Sequence, residues 1–262
     1  MRFITLFGLI AACLFSFGCS PDKPPFSSDS GKKYILVYSS AALSNAVGEL
    51  AAAYENQSGC GVDILTGGSS HQLRAIEVNK KGDVIFATAG DGVEGLKAKG
   101  YVSEVHTIGE DRLAYFVGYG NPLKIDGSLQ WLTDPKIRSV IGSALTSGAG
   151  EATHIACRRA GILKDVFENA IGLASDSKQL LKAVADNNAD LAVDWISLKY
   201  SPDSKGTQTI PIDSEFFRKV TVKAGLITFS QEKECARGFL QFALSDSGRQ
   251  VFYKYGIEKQ TP

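Results

Sequence analysis

Alternation of strand-like and helix-like segments is the feature that most constrains the fold of this chain. After Lys33, apolar segments typical of strands ("YILVY", "GVDILTG", "DVIFATA") alternate with amphipathic segments that begin near Ser44 and Ser69. A strand–helix–strand unit of this kind places its strands in parallel, joined by a right-handed crossover. The pattern therefore predicts an α/β fold in which each sheet is mostly parallel and flanked by helices.

The pattern of strand-like and helix-like segments changes in the middle of the chain and resumes near its end, which predicts two lobes. Two long apolar segments, "RLAYFVGYG" and "TVKAGLITF", are long enough to cross between lobes. We expect these crossing strands to form a hinge near residues 113–118 and 223–229, with a cleft between the lobes. The first lobe then comprises residues 33–112 and 223–262, and the second lobe comprises residues 113–222.

The first 32 residues resemble an export signal followed by a tether. Arg2 precedes the apolar run "FITLFGLIAACLFSFG", which is short for a membrane span, so residues 1–18 are expected to be a signal peptide. "SFGC" resembles a bacterial lipobox and predicts lipidation at Cys19; plain cleavage near Gly18 is the alternative, because Ser16 stands where that pattern favours Leu. Residues 19–32 are rich in Pro, Ser and charge, which favours a flexible tether. We therefore expect a periplasmic or surface location with a lipid anchor in the membrane.

Charge and cysteine usage exclude several classes of protein. The 262 residues carry 28 basic and 28 acidic side chains, and this zero net charge argues against nucleic-acid binding. Beyond the leader, Cys60, Cys157 and Cys235 show no C-x-x-C spacing, so a zinc or redox motif is not expected. Three cysteines cannot all pair within one chain, and we favour buried thiols that act as small hydrophobic side chains.

Three turns of small residues follow predicted strands, at positions 39–42, 67–70 and 146–150. Ligands of parallel sheets bind beyond the carboxyl ends of strands, where helix N-termini present unpaired N–H groups and a partial positive charge. A single such turn is explained by helix capping alone. Three turns from both lobes together predict a cradle of neutral N–H and O–H donors, which suits a compact, ionised oxyanion.

The same segments resemble the molybdate-binding substrate proteins of bacterial ABC transporters, which have the type II periplasmic binding fold. The resemblance lies in "VYSSAALSNAVGELAAAYENQSGCGVDI", in "GGSSHQLRAIEVNKKGDVIFATA" and in the terminal "FYKYGI". It implies a two-lobed, monomeric, non-enzymatic binding protein without a cofactor. Such a protein captures molybdate or tungstate in the interlobe cleft and delivers it to an ABC permease.

The resemblance also implies which residues contact the ligand. The first-loop serine of the family falls on Ala42, so Ser39, Ser40 or the nearby amides would have to compensate. The hydroxyls of Ser40 and Ser69 would lie around the metal centre of the oxyanion. The tyrosine of the family falls on Trp195, whose indole N–H can donate one hydrogen bond. The whole expected ligand-binding set is Ser39, Ser40, Ala42, Ser69, Ser70, Ser147, Gly148, Ala149, Ser177 and Trp195.

Two alternative functions stay open at this point. The same fold could bind another small ligand, either a different oxyanion or a metal ion held by His71 and His154 with Asp194 or Glu151. Asp194 would repel a dianion unless its carboxylate turns away or binds metal. A hydrolase is the weaker alternative, because "GxSxG" is absent and His71 is the one base close to a candidate serine, Ser69.

Overall fold

The computed structural model describes residues 32–88 and 90–260. The predicted signal peptide, Cys19 and nearly all of the predicted tether lie outside the described residues. No helix within the described part has the length and apolar character that a membrane span requires.

Ten strands, eight α-helices and four short 3₁₀ segments make up the described residues. The strands are β1 Tyr34–Ser40, β2 Gly61–Gly67, β3 Val84–Ala87, β4 Val102–Asp111, β5 Leu113–Gly118, β6 Ser139–Gly142, β7 Gly172–Ala174, β8 Leu191–Trp195, β9 Thr207–Pro211 and β10 Val220–Ile227. The helices are α1 Ser44–Ser58, α2 Ser69–Asn79, α3 Gly90–Ala98, α4 Gly148–Arg159, α5 Leu163–Asn169, α6 Ser177–Ala185, α7 Lys233–Leu244 and α8 Asp246–Lys254. The 3₁₀ segments are Ala41–Leu43, Leu129–Leu132, Ile196–Tyr200 and Pro202–Ser204.

The strands form two five-stranded sheets, one in each lobe. The first has the order β2-β1-β3-β10-β4 and the second β7-β6-β8-β5-β9. In each sheet the first three strands are parallel, while β10 and β5 run antiparallel to both of their neighbours. The predicted two-lobed α/β architecture is therefore confirmed, with one reversed strand inserted in each mostly parallel sheet.

The chain crosses between the sheets just outside the two strands in which we expected the hinge. β4 ends at Asp111 and β5 begins at Leu113, so the first crossing is at Arg112; the chain returns over residues 212–219. β5 pairs along its whole length within the second sheet, and β10 pairs within the first. Their continuous apolar sequences reflect burial at interior positions of a sheet, not a hinge.

Both faces of the first sheet are covered by helices. On one face, α1 buries Ala46, Val47, Leu50, Ala51 and Tyr54, the helical stripe predicted from the sequence, against α7 and α8. Gly59, in the left-handed region at φ 74°, ends α1 as predicted. α2 and α3 cover the other face. The sheet edge at which β1 and β3 end is therefore held by two packed layers, and this edge faces the cleft.

Cys60 and Cys235 form a disulfide, so the expectation of buried thiols is wrong for this pair. The bond joins the segment after α1 to α7, with a Cα–Cα distance of 6.1 Å. Sequence reasoning missed it because 175 residues separate the two cysteines and no local pattern links them. Cys157 is free and buried, and burial raises the pKa of its thiol to about 12, so it behaves as the expected small hydrophobic side chain.

We expect the double variant Cys60→Ser/Cys235→Ser to lose about 3 kcal/mol of unfolding free energy. Without the cross-link, the unfolded chain regains the conformational freedom of a long loop. Urea unfolding of oxidised wild type and the double variant measures the difference. Cys157→Ala is the control, since it removes a thiol but no cross-link. Equal midpoints for the double variant and wild type would contradict the prediction.

Candidate ligand-binding cleft

Three strand-end loops of the first lobe converge on a hydrogen-bonded cluster of hydroxyl groups. The backbone N–H of Thr88 donates to Ser40 Oγ at 3.2 Å, and Ser69 Oγ lies 3.1 Å from Thr88 Oγ1. All three residues are at most 2% exposed. We call Ser40, Ser69 and Thr88 the hydroxyl cluster. It joins the loops after β1, β2 and β3 into one polar surface.

Thr88 is the member of this cluster that sequence reasoning missed. It follows β3 directly, as Ser40 ends β1 and Ser69 follows β2. The rule that places ligands at strand ends applies to it equally. Gln72 was missed as well: its Nε2 donates to the carbonyls of Ser39 and Leu65, both at 2.7 Å, and so holds the ends of β1 and β2 together.

The second lobe meets the hydroxyl cluster with the N-terminus of α4. Ser147 caps this helix, since its hydroxyl accepts a hydrogen bond from Gly150 N at 3.3 Å. The amides of Gly148 and Ala149 belong to the first turn and have no partner within the helix. A Cβ atom on Gly148 would lie 3.2 Å from Ser69 Oγ and 3.4 Å from Thr88 Oγ1. The structure thus brings Ser69 and the 147–149 turn together.

Two further contacts close this side of the cleft. A Cβ atom on Gly68 would lie only 1.9 Å from the carbonyl oxygen of Thr146 in the second lobe. Ala42, in the 3₁₀ turn after β1, packs against the buried cluster of the second lobe. The lobes therefore touch across the predicted turns, and this contact depends on small residues.

The remaining predicted residues have different surroundings. Ser39 is buried and its hydroxyl donates to the Ser40 carbonyl at 3.2 Å, within its own strand. Ser70 Oγ is buried and has no hydrogen-bond partner among the described residues. Ser177 begins α6 and is buried. Trp195, 3% exposed, ends β8.

A cavity of about 690 Å³ opens beside the contact between the lobes. Ser70, Thr88, Gly148 and Trp195 line it, so it reaches the hydroxyl cluster at Thr88 and is walled by both lobes. Of the ten residues expected to bind the ligand, Ser70, Gly148 and Trp195 line the cavity, and Ser39, Ser40, Ala42, Ser69, Ser147, Ala149 and Ser177 do not. Among the residues that line the cavity, Ser70 and Thr88 carry hydroxyl groups, and Gly148 belongs to the first turn of α4.

Two buried carboxyl groups lie where the chain crosses between the lobes. Asp194 Oδ1 accepts from Trp195 N at 2.8 Å, and Asp111 Oδ2 accepts from Ser197 Oγ at 2.6 Å. Burial raises the pKa of each carboxyl to about 7. Asp194 is fully buried and does not line the cavity, so it turns away from the ligand position.

The structure does not assemble the alternative metal site. His154 contacts Arg158 at 2.8 Å and packs edge-on against the Phe167 ring, while His71 is exposed on α2. Among residues 32–88 and 90–260, no group of three or more His, Cys, Asp or Glu residues is arranged to hold a metal ion.

Comparison with known proteins places this fold among binding proteins. Residues 35–258 match the model of the family described as bacterial extracellular solute-binding protein. A protein of Haemophilus influenzae, itself described only as a candidate binding protein, is 26% identical over 235 residues, which is 85% of this chain and 90% of the relative.

Two solved structures show the same fold. The periplasmic molybdate-binding protein of Azotobacter vinelandii superposes with a TM-score of 0.75 at 17% identity, covering 87% of this chain and 100% of that one. The sulfate-binding protein SubI of Mycobacterium tuberculosis gives a TM-score of 0.71 at 14% identity, covering 88% of each chain. At these identities the likeness concerns the fold alone.

Proposed function

Because this chain belongs to the family of bacterial extracellular solute-binding proteins, we propose that it captures a tetrahedral oxyanion in its interlobe cleft and delivers it to an ABC permease. Molybdate and tungstate are the ions that the sequence resemblance indicates. The observation that carries the proposal is the hydroxyl cluster of the first lobe packed against the N-terminus of α4 in the second. Proteins of this fold in Azotobacter vinelandii and Mycobacterium tuberculosis bind molybdate and sulfate, both tetrahedral dianions.

Neutral donors explain how such a site holds a dianion and still releases it. Hydroxyl groups and helix-terminal amides replace the hydration shell of the ion, and the helix dipole supplies partial positive charge. Glycine at position 148 lets the backbone approach the hydroxyl cluster closely. Because the donors come from both lobes, the ion binds the closed state better than the open state and shifts the equilibrium toward closure. A binding protein of this kind releases its ligand unchanged.

Ser69→Ala tests the hydroxyl cluster. We expect this variant to bind molybdate or tungstate about 1.5–3 kcal/mol more weakly, the scale of one hydrogen bond to an ionised oxygen. Titration calorimetry measures the loss. Ser230→Ala is the matched control, because Ser230 is also a buried serine of the first lobe but follows β10, which runs antiparallel to β3 and so ends at the opposite edge of the sheet from the hydroxyl cluster. Unchanged affinity in purified, folded Ser69→Ala protein would show that this hydroxyl has no role in binding.

We also propose that Cys19 anchors the protein to a membrane through lipid. A lipid anchor would keep the loaded protein close to its permease, and stable anchoring needs more than one acyl chain. In the native bacterium, wild-type protein should fractionate with membranes, and the Cys19→Ala variant should be released or wrongly processed. Wild-type protein found wholly in the soluble periplasmic fraction would contradict this proposal.

A further inference from the structure

We propose that the cleft accepts an oxyanion that carries an organic substituent, such as a phosphate monoester, with the charged head at the hydroxyl cluster and the substituent in the adjoining cavity. This inference rests on the proposed function, because it places the oxyanion head at the same donors. It adds a ligand class that a bare inorganic ion does not represent.

The first argument is the shape of the cavity. Along α4 it is lined by Gly148, Ala152, Ile155 and Arg159, which share one face of the helix. From Gly148 to Arg159 this face extends over about 16 Å, at 1.5 Å per residue. Along α2, Ser70, Leu73, Arg74 and Glu77 form the opposite wall. The cavity is therefore a groove between α2 and α4 that begins at Thr88, the member of the hydroxyl cluster that lines it, and leads away from the cluster.

The second argument is volume. An ion with four oxygen atoms occupies on the order of 120 Å³ if each oxygen needs about the space of a water molecule. The groove holds about 690 Å³, so a bare oxyanion at the hydroxyl cluster fills only its inner end. Ligand pockets for small organic molecules fall in the same range of roughly 300–1,000 Å³.

The third argument is the chemistry of the walls. The apolar part of the lining comes from both lobes and from the returning crossing segment: Leu73, Leu113, Leu145, Ile155, Trp195, Phe216 and Phe217. A hydrated inorganic ion gains nothing from such surface, whereas a carbon skeleton is stabilised by burial against it.

The fourth argument is that some charged side chains in the groove have ion-pair partners and others do not. Lys219 pairs with Glu258 at 2.7 Å, and Glu77 pairs with Lys99. The guanidinium groups of Arg74 and Arg159, by contrast, have no ion pair or hydrogen bond to any described residue.

The position of Arg74 suits a second acidic group on the ligand. Arg74 lies one helical turn after Ser70, on the same side of α2, so it is within reach of an acid carried by a small substituent near the hydroxyl cluster. Asp91 and Glu151 also line the groove, and they favour hydroxyl or amino groups elsewhere on the substituent.

Titration calorimetry with matched ligands tests the inference. The probes are inorganic phosphate, glycerol 3-phosphate, phosphoglycolate and phenyl phosphate, with molybdate, tungstate and sulfate in parallel. We expect at least one phosphate ester to bind 10-fold or more tightly than inorganic phosphate. Wild type should bind phosphoglycolate more tightly than inorganic phosphate, and we expect the ratio of these two affinities to fall about 10-fold in Arg74→Ala. Arg158→Ala is the control for a lost cation, because Arg158 bonds His154 and does not line the groove.

The outcomes separate the two proposals. Tight binding of molybdate, tungstate or inorganic phosphate with weaker binding of every ester would overturn this inference and leave the proposed function standing. Absence of binding by every probe, inorganic and organic, would overturn both. Wild type could prefer an ester over inorganic phosphate while Arg74→Ala and Arg158→Ala both keep the same ratio of affinities. That result would overturn the assignment of the substituent to the groove.

Discussion

Gly68→Ala should lower affinity for the oxyanion by at least about 1,000-fold, or about 4 kcal/mol, while leaving the protein folded. Gly68 has φ −65° and ψ 136°, a backbone conformation that alanine adopts without strain, so the first lobe itself tolerates the change. The added Cβ would lie 1.9 Å from the Thr146 carbonyl oxygen, which forces the lobes apart. The amides of α4 then lose their reach to the ion, and several charge-assisted hydrogen bonds are lost together.

Gly67→Ala provides the matched control for this effect. The neighbouring position has room, since a Cβ there would meet Gln72 Nε2 at 3.6 Å, an ordinary contact. Calorimetry should show wild-type affinity for Gly67→Ala and a large loss for Gly68→Ala, with similar melting temperatures for the free proteins. Near wild-type affinity in Gly68→Ala would mean that ligand binding does not require this contact between the lobes.

The fluorescence of Trp195 measures the closure of the two lobes independently of calorimetry. Its side chain is buried at the end of β8 and lines the cavity, so its fluorescence should change when ligand binds wild-type protein and change far less in Gly68→Ala. Trp131, whose indole bonds Asp126 away from the cleft, contributes background, and a Trp131→Phe background removes it. Small-angle X-ray scattering measures the closure of the lobes directly. Identical scattering curves with and without saturating ligand, together with unchanged Trp195 emission, would indicate that the site is preformed.

The fold could be predicted from the sequence because it depends on local signals. The alternation of strand and helix patterns gave the two-lobed α/β architecture, and the stripe of buried residues on α1 matches the predicted helical face. The same reasoning did not show that the crossings lie outside β5 and β10, at Arg112 and over residues 212–219. A long apolar segment indicates burial on both faces, and interior strands such as β5 and β10 share this property with hinge strands.

The candidate site was only partly predictable, because its contacts join distant parts of the chain. Serine turns at strand ends pointed to Ser40 and Ser69, but the packing of Gly68 on Thr146 depends on how the two lobes meet. The disulfide between Cys60 and Cys235 and the groove along α4 likewise depend on tertiary packing. The ligand assignment of each residue stays a prediction until binding is measured.

The free energy of unfolding should fall by on the order of 4 kcal/mol between pH 5 and pH 8 because of Asp111 and Asp194. Burial raises the pKa of both carboxyls to about 7, well above the ordinary value of 3.8. Between these values the folded protein holds protons that the unfolded chain has released. The stabilisation is therefore complete below about pH 4 and is lost as the pH rises through 7.

Asp194→Asn isolates one of these groups. Asparagine keeps the oxygen that accepts from Trp195 N and replaces the other carboxyl oxygen with an amide group that cannot ionise. The variant should match wild type at pH 5 and exceed it by about 2 kcal/mol at pH 8, because it cannot ionise. Urea unfolding across this range measures the difference, with Asp203→Asn on the exposed surface as control. A parallel pH dependence in wild type and Asp194→Asn would rule out this carboxyl as its source.

The location of these carboxyls connects stability to the movement of the lobes. Asp111 ends β4 in the first lobe, and its hydrogen bond to Ser197 reaches the 3₁₀ segment that follows β8 in the second. Ionisation of both groups places two negative charges in a buried region beside the crossing at Arg112, and each added charge favours solvent entry there. Above pH 7 the open state should therefore gain population. The affinity for an oxyanion should then decline with rising pH in wild type and decline less in Asp194→Asn, which calorimetry at pH 6 and pH 8 can measure.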